Sequence, residues 1–321
     1  MKAPGRYPNF VKNWVKKLGE TLICCSSEMR EDRHDFKAGV TTPPRAATIA
    51  PFFAFVLFTF VDATMTPPLT LLYRDDHLVA VRKPAGLLVH RTALARGERE
   101  FLLQQLRDQL GQRVYPVHRL DRPTSGVMIF ALSPEVATPL AAAFSERRVA
   151  KRYLAVVRGV GPERARLDYA LREEDGRRPK AEMPALAAVT EVKRLDSVEL
   201  PVSVDRYPQA RYSLMEARPL TGRRHQIRRH LSRRGYPIIG DAKHGKGNHN
   251  RFFKEQLGCP HLLLAAVGLA FDHPIDGRPL RLTCGLEPTM AGLLERFGWA
   301  GHLPVNRAQF EASTVDSVPT P

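Results

Sequence analysis

Hydrophobic and polar positions divide the chain into short strand-like and helix-like segments from about residue 69 onward. The run Val127–Leu132 is continuously apolar, which is typical of a strand buried on both faces. Strands and helices follow one another without strict alternation, so the pattern predicts an α+β domain with a mixed sheet. The other predicted strands cover 69–73, 78–82, 151–158, 187–195, 212–220, 262–271 and 278–283, and the predicted helices cover 98–110, 134–147, 222–234 and 288–297.

Two polar stretches complete this pattern. Residues 163–183 are predicted to lie on the surface, and 240–253, rich in Gly, Lys, His and Asn, are predicted to form a loop. Thr221 is predicted to cap the helix that follows it, and Gly235 is predicted to end that helix.

The first 64 residues stand apart because they show no clean periodicity. Their apolar stretch Ile49–Val61 is shorter than the roughly 20 residues that span a bilayer, and a signal-peptide core would sit nearer the start. We therefore predict one domain over 65–305, beginning at Met65, and a flexible tail over 306–321. Residues 1–64 are interpreted as a disordered extension or as upstream sequence joined through a misplaced start, with a membrane or targeting extension as the alternative.

Charge points to the kind of partner. The formal net charge is +16, and residues 1–64 hold nine basic and six acidic side chains, so +13 lies beyond them. Such an excess favours a polyanion, and a phosphate backbone fits better than an anionic membrane because the arginines cluster beside the candidate site. The four cysteines show neither metal-ligand spacing nor a disulfide framework, which indicates a reducing cytoplasm.

The candidate site is the segment His118–Gly126, with the sequence HRLDRPTSG, directly before the buried strand. Loops held by a rigid strand often carry chemistry. Asp121 lies between Arg119 and Arg122, and a carboxylate among cations stays ionised, which suits a nucleophile or a base. Taken alone, the segment is also compatible with an ordinary turn in which Asp121 and Ser125 cap backbone amides.

Three ordered motifs resemble the RluA-type pseudouridine synthase superfamily. They are HRLDRPTSG, then KRY at 151–153, then TGRRHQIRRHL at 221–231 followed by PIIGD at 237–241. The resemblance runs from about Leu69 to Pro304. It implies a single catalytic domain with a long mixed, largely antiparallel sheet and a central RNA-binding cleft. It also implies isomerisation of uridine to pseudouridine with no cofactor and no metal.

The resemblance assigns roles to individual residues. Asp121 is the covalent participant, Tyr153 stacks on the target uracil, and Arg228 pairs with the catalytic carboxylate. Arg119 fills the space left by the extruded uridine, and His118 orders the loop. A core tyrosine and a solvated helix arginine are the alternatives for Tyr153 and Arg228. The other expected RNA-binding residues are Lys151, Arg152, Arg223, Arg224, His225 and Gln226, with phosphate contacts also expected from Arg229, Arg233, Arg234, Lys243 and Lys246.

Less specific segments narrow the expected substrate. They are LVHRTALARGE, RYPQARYSLMEARPLTGRRHQ, KHGKGNHNRFF and RFGWAGHLP, and they are most similar to superfamily members that modify tRNA near the acceptor stem, at uridine 65. We expect a cytoplasmic monomer that acts on tRNA and does not bind membranes. The alternatives are a ribosomal RNA synthase of the same superfamily and a non-catalytic RNA-binding or RNA-folding protein. A metal nuclease is disfavoured because one loop aspartate lacks the carboxylate cluster of a two-metal site.

Overall fold

A computed structural model describes residues 67–90, 100–173 and 180–310 of the chain. The expectations for 1–64, the start of the helix predicted at 98 and the tail beyond 310 lie outside the described residues. The strands are β1 (Leu71–Arg74), β2 (Leu78–Lys83), β3 (Tyr115–Pro116), β4 (Ser125–Ala131), β5 (Ala150–Arg158), β6 (Arg164–Asp168), β7 (Leu171–Arg172), β8 (Ala185–Leu186), β9 (Val189–Leu200), β10 (Ala210–Pro219), β11 (Leu264–Asp272), β12 (Pro279–Thr283) and β13 (Arg307–Phe310). The α-helices are α1 (Leu102–Leu110), α2 (Pro134–Ser145), α3 (Gln226–Arg233), α4 (Gly247–Leu257) and α5 (Pro288–Arg296), and 3₁₀ turns cover Lys180–Glu182 and Ala300–His302.

One large sheet organises the described residues. Its eleven strands run in the order β1-β2-β4-β11-β5-β10-β9-β6, with β3 beside β4 and with β12 and β13 joined through β11. Strands β4 and β11 are parallel, and the other pairs of this sheet are antiparallel. The predicted α+β fold with a mixed, largely antiparallel sheet is therefore confirmed.

Strand β4 is the buried centre of this sheet. All seven of its residues are buried, as the continuous apolar run predicts. Gly126, at φ +116°, begins the close approach to β11, since a Cβ there would lie 2.1 Å from the carbonyl oxygen of Ala266. The strand that follows the HRLD loop is thus fixed by backbone contact with its parallel neighbour.

Two hydrophobic clusters meet near the middle of the sheet. One gathers residues of β2, β4 and α1, and the other gathers residues of β5 and β10 with Ile227 and Leu231 of α3. Tyr153 of β5 packs against both clusters. None of the helices in the described ranges is long and apolar enough to cross a membrane.

The predicted start of α3 is wrong. The helix begins at Gln226 rather than at residue 222, because His225 before it has a left-handed backbone with φ +53°. Thr221 does not cap it. Its hydroxyl donates instead to the Gln226 side chain at 2.7 Å.

Three segments contain secondary structure that the sequence pattern does not predict: two polar stretches and the residues after 305. Part of the predicted loop 240–253 is the start of α4, which buries His249, Phe253 and Leu257 at a spacing of four residues. Within 163–183, β6 pairs with β9 at the end of the sheet path. Beyond residue 305, β13 pairs with β12 up to Phe310. Hydrogen bonding to a neighbouring strand orders β6 and β13, and single-chain periodicity does not reveal that pairing.

Candidate active site

Lys83, at the end of β2, forms hydrogen bonds that hold the loop carrying Asp121. Lys83 is completely buried, and its Nζ donates to the carbonyl oxygens of Pro84 at 2.8 Å and Arg122 at 3.0 Å. The Gly86 N–H donates to the same Arg122 carbonyl at 2.9 Å, and Arg122 Nε donates back to the Gly86 carbonyl at 2.9 Å. Burial lowers the pKa of Lys83 to about 7. These bonds fix the residue directly after Asp121.

His118 lies at the other end of the loop. Its Nε2 accepts a hydrogen bond from the Ile129 N–H at 3.0 Å, and its ring stacks on Phe144 with centroids 4.3 Å apart. Burial, with a further contribution from the Lys151 charge, lowers its pKa to about 3. A neutral imidazole that accepts from the backbone of β4 can order the loop, and it is poorly suited to carrying a proton at neutral pH.

Asp121 faces Arg228 across the site. Arg228 Nη1 donates to Asp121 Oδ2 at 3.1 Å, while its Nε and Nη2 each donate to the carboxylate of Asp241 at 2.7 Å. The Arg228 and Asp241 side chains are 5% and 1% exposed, whereas that of Asp121 is 25% exposed. Burial opposes the charge on Arg228, but the bonds to Asp241 and Asp121 more than offset it and raise its pKa. One buried guanidinium therefore serves two carboxylates, and only Asp121 is open to solvent.

A pair of histidines borders the same carboxylate. His225 Nε2 lies 3.9 Å from Asp121 Oδ2, and His225 Nδ1 lies 3.1 Å from Nε2 of His244. Burial lowers the pKa of His225 to about 4 against the opposing effect of the Asp121 charge. His225 thus lies between Asp121 and His244, and it is uncharged at neutral pH.

Tyr153 is half-buried on β5, where its register partners are Ala266 of β11 and Ala217 of β10. Burial and the charge of Asp121 both raise the pKa of its phenol. The ring therefore stays neutral at physiological pH. A neutral aromatic face beside a carboxylate is a suitable surface for a planar base.

The remaining RNA-binding residues predicted from the sequence do not all reach this site. Arg119 and Arg224 are exposed, and Lys151 is partly buried near the loop with a pKa lowered by burial and by Arg147. Arg223 is partly buried, and its Nε donates to the carbonyl of Ala187 at 3.2 Å.

Two of the predicted RNA contacts, Arg152 and Gln226, have partners within the protein. Arg152 points away from Tyr153, since side chains alternate along a strand, and its Nε pairs with Glu216 at 2.5 Å. Gln226 is buried. Its side-chain oxygen accepts hydrogen bonds from the Thr221 hydroxyl and the Arg223 N–H, and its Nε2 donates to the Val189 carbonyl and the Thr190 hydroxyl. Gln226 is enclosed by these partners, whereas the Arg152 side chain is 39% exposed beside Glu216.

Three further residues at the site had no role in the sequence analysis. Asp241 lies within the motif PIIGD and Lys83 directly follows the predicted strand 78–82, but nothing in the sequence indicates that their side chains turn inward. His244 lies within the segment KHGKGNHNRFF, for which the sequence predicts no role at the site. Within the described ranges, no three His, Cys, Asp or Glu side chains gather as a metal site would require.

Comparison with known proteins agrees with this geometry. The RNA pseudouridylate synthase family model matches residues 77–233. The chain is 46% identical over 242 residues to tRNA pseudouridine synthase C of Vibrio cholerae serotype O1, covering 74% of this chain and 99% of that protein. It is 47% identical over 254 residues to tRNA pseudouridine synthase C of Salmonella typhi, covering 77% and 96%.

Solved structures show the same fold. Human RNA Pseudouridylate Synthase Domain Containing 4 superposes with a TM-score of 0.55 at 28% identity, covering 71% of this chain and 93% of that one. Human RNA Pseudouridylate Synthase Domain Containing 1 shares the fold at a TM-score of 0.54 and 24% identity, covering 78% and 94%. The chain belongs to the RluA-type family of RNA pseudouridylate synthases, and it is accordingly an isomerase that acts on uridine in RNA.

Proposed function

We propose that this protein converts a uridine of tRNA to pseudouridine at position 65, near the acceptor stem. The observation that carries the proposal is the Asp121 carboxylate, which is partly open to solvent, lies 3.1 Å from Arg228 and has a charge that helps to raise the pKa of Tyr153. The choice of tRNA rests on relatives whose names are tRNA pseudouridine synthase C and which align over nearly their whole length.

The chemistry fits a site without a group donor. The N1–C1′ glycosidic bond of uridine breaks, a C5–C1′ bond forms, C5 loses a proton and N1 gains one, so nothing is oxidised or reduced. Asp121 is the covalent partner of the uridine, since a positioned carboxylate can act as a nucleophile. Arg228 orients this carboxylate, and Tyr153 stacks on the uracil.

Access to the uridine requires that it leave its helix. Enzymes that act on a base inside a duplex extrude it, and the exposed Arg119, two residues before Asp121, is the side chain that occupies the vacated space. Exposed arginines on α3 neutralise the phosphates around the target. Because the proposed substrate is tRNA, we expect the protein to act in the cytoplasm.

The test compares RNAs directly. Purified protein is incubated with unmodified tRNA that carries uridine 65, with the same tRNA carrying cytidine there, with a matching short single strand and with unmodified ribosomal RNA. Pseudouridines are then mapped by chemical labelling and primer extension. We expect conversion of position 65 alone, with the short strand a poor substrate because the folded shape selects the target. Modification of ribosomal RNA with tRNA untouched would overturn the tRNA assignment and leave the family assignment standing.

A further inference from the structure

A buried carboxylate behind the reactive one stands out in this site. Asp241 is 1% exposed in its side chain, so it cannot contact RNA, yet it holds the same guanidinium that Asp121 contacts. A buried charge is retained only where its pairing and hydrogen bonds offset its loss of hydration. Its contacts should therefore explain what it does for the reaction.

Several hydrogen bonds to the backbone and to α4 hold Asp241 in place. Its Oδ1 accepts the backbone N–H groups of Lys243 at 3.0 Å and His244 at 2.9 Å. Its carbonyl accepts the Gly245 N–H at 3.0 Å and the Asn250 Nδ2 at 2.9 Å, and a Cβ on Gly245 would lie 2.2 Å from that carbonyl. The carboxylate is thus anchored to a closed turn and to α4.

From this anchor, Asp241 orients Arg228. Two short bonds from Nε and Nη2 fix the plane of the guanidinium, so that Nη1 has one direction left and points at Asp121. A second route follows the same turn, because His244 contacts His225, which lies 3.9 Å from Asp121. Both neighbours of the reactive carboxylate therefore depend on Asp241.

The hydrogen bonds of Arg228 are shared unequally between its two carboxylate partners. Asp241 takes two bonds of 2.7 Å from Arg228, and Asp121 takes one of 3.1 Å. Without the Asp241 charge, the planar fork of Arg228 could turn and bind both oxygens of Asp121, which would tie up the lone pairs needed for attack. We propose that Asp241 is a positioning residue that holds Arg228 so that Asp121 is oriented but remains reactive. This inference rests on the proposed role of Asp121 in pseudouridine formation.

The decisive variant is Asp241→Asn, measured on whichever RNA the wild-type protein converts. We expect kcat to fall about 100-fold, the scale on which a small misplacement of reacting groups acts, while RNA affinity stays within about threefold. The matched control is Asp75→Asn, because Asp75 is also a hydrogen-bonded carboxylate, accepting from Tyr73 and from the N–H groups of His77 and Leu78, but lies in the β1–β2 turn. Its kcat should stay near that of the wild type.

A double-mutant cycle with Arg228→Lys tests whether Asp241 acts through Arg228. If it does, adding Asp241→Asn to Arg228→Lys should lower kcat by less than about threefold further, because coupled residues are non-additive. A kcat for Asp241→Asn near the wild-type value, a loss confined to KM, or a full multiplicative loss in the double variant would each overturn the inference. An inactive wild type would instead count against the proposed function.

A second variant keeps the test decisive if Asp241→Asn does not fold. Asp241→Glu retains the charge and displaces the carboxylate by one methylene, so we expect a smaller loss in kcat, about tenfold, with unchanged RNA affinity. Wild-type kcat in this variant would overturn the positioning role, since the exact placement of the carboxylate would then not matter.

Discussion

Helix α3 carries arginines on two sides, and the two sides differ in every respect that matters for function. On the inner side, Arg228 is 5% exposed and bonds both Asp241 and Asp121. On the outer side, the next residue, Arg229, is only partly buried, and its Nη1 reaches the Arg224 carbonyl at 3.5 Å. Arg233 is exposed and lies over the Tyr169 ring at 4.8 Å.

The comparison teaches that burial and partners, rather than residue type, assign the role. Arg228 and Arg229 are the same residue type at adjacent positions. Arg228 bonds two carboxylates, whereas Arg229 lies on the side of the helix where it can contact a phosphate. A buried arginine in such a pair orients chemistry. An exposed arginine contributes to affinity without reading sequence.

The largest effect should come from removing the group that the inner side serves. We expect Asp121→Asn to lower turnover by more than about a thousandfold, as loss of a covalent catalyst does, because the amide keeps the shape and loses the charge. RNA affinity should stay within about tenfold, since the outer arginines are intact. Single-turnover pseudouridine formation and filter binding measure the two quantities.

The control for this variant is Asp168→Asn, an exposed carboxylate on β6 whose loss should leave both quantities unchanged. Retained turnover in Asp121→Asn would remove Asp121 from the mechanism and would reduce the inner side of α3 to a structural ion pair.

An intermediate effect is expected at Gln226, which distinguishes the two sides by stability. Its amide makes buried hydrogen bonds to Thr221, Val189 and Thr190. Gln226→Ala leaves buried partners unsatisfied and should lower the free energy of unfolding by about 1–3 kcal/mol. Arg229→Ala, on the outer side, should change it by no more than about 0.5 kcal/mol.

Urea denaturation measures both variants under the same conditions. If Gln226→Ala were as stable as the wild type but bound RNA more weakly, the contact predicted from the sequence would be right, and the comparison between the two sides would fail at this position.

Much of the fold could be predicted from the sequence because its strands are strongly patterned. The apolar run of β4 and the Ser133-Pro134 start of α2 both mark their elements, and Ser133 Oγ accepts the Val136 N–H at 3.4 Å. The start of α3 could not be predicted, because the left-handed backbone of His225 is imposed by its surroundings. Hydropathy does not encode the strand pairing that orders β13.

The site, like the fold, could be predicted only in part. The motifs brought Asp121, Tyr153 and Arg228 to attention, but roles for their neighbours depended on which way each side chain turns. Alternation along β5 already implies that Arg152 and Tyr153 face opposite sides, although it does not say which side holds the site. The inward turn of Asp241 depends on a local closed turn and on more distant contacts with Arg228 of α3 and Asn250 of α4, which the sequence pattern does not reveal.

The smallest effect concerns the outer side alone. The double variant Arg229→Ala/Arg233→Ala removes two charges that face solvent, so we expect kcat at saturating RNA to be unchanged and RNA affinity to weaken. Each lost phosphate contact should reduce the slope of log affinity against log salt by about 1, giving a change of about 1 to 2. The matched control, Arg107→Ala/Arg278→Ala, removes two exposed arginines that pair with Asp108 and Asp276 outside α3. It lowers the net charge equally and should change the slope much less. Affinity measured from 50 to 300 mM salt separates the pairs, and equal slopes would mean that α3 does not contact the RNA backbone and that only net charge matters.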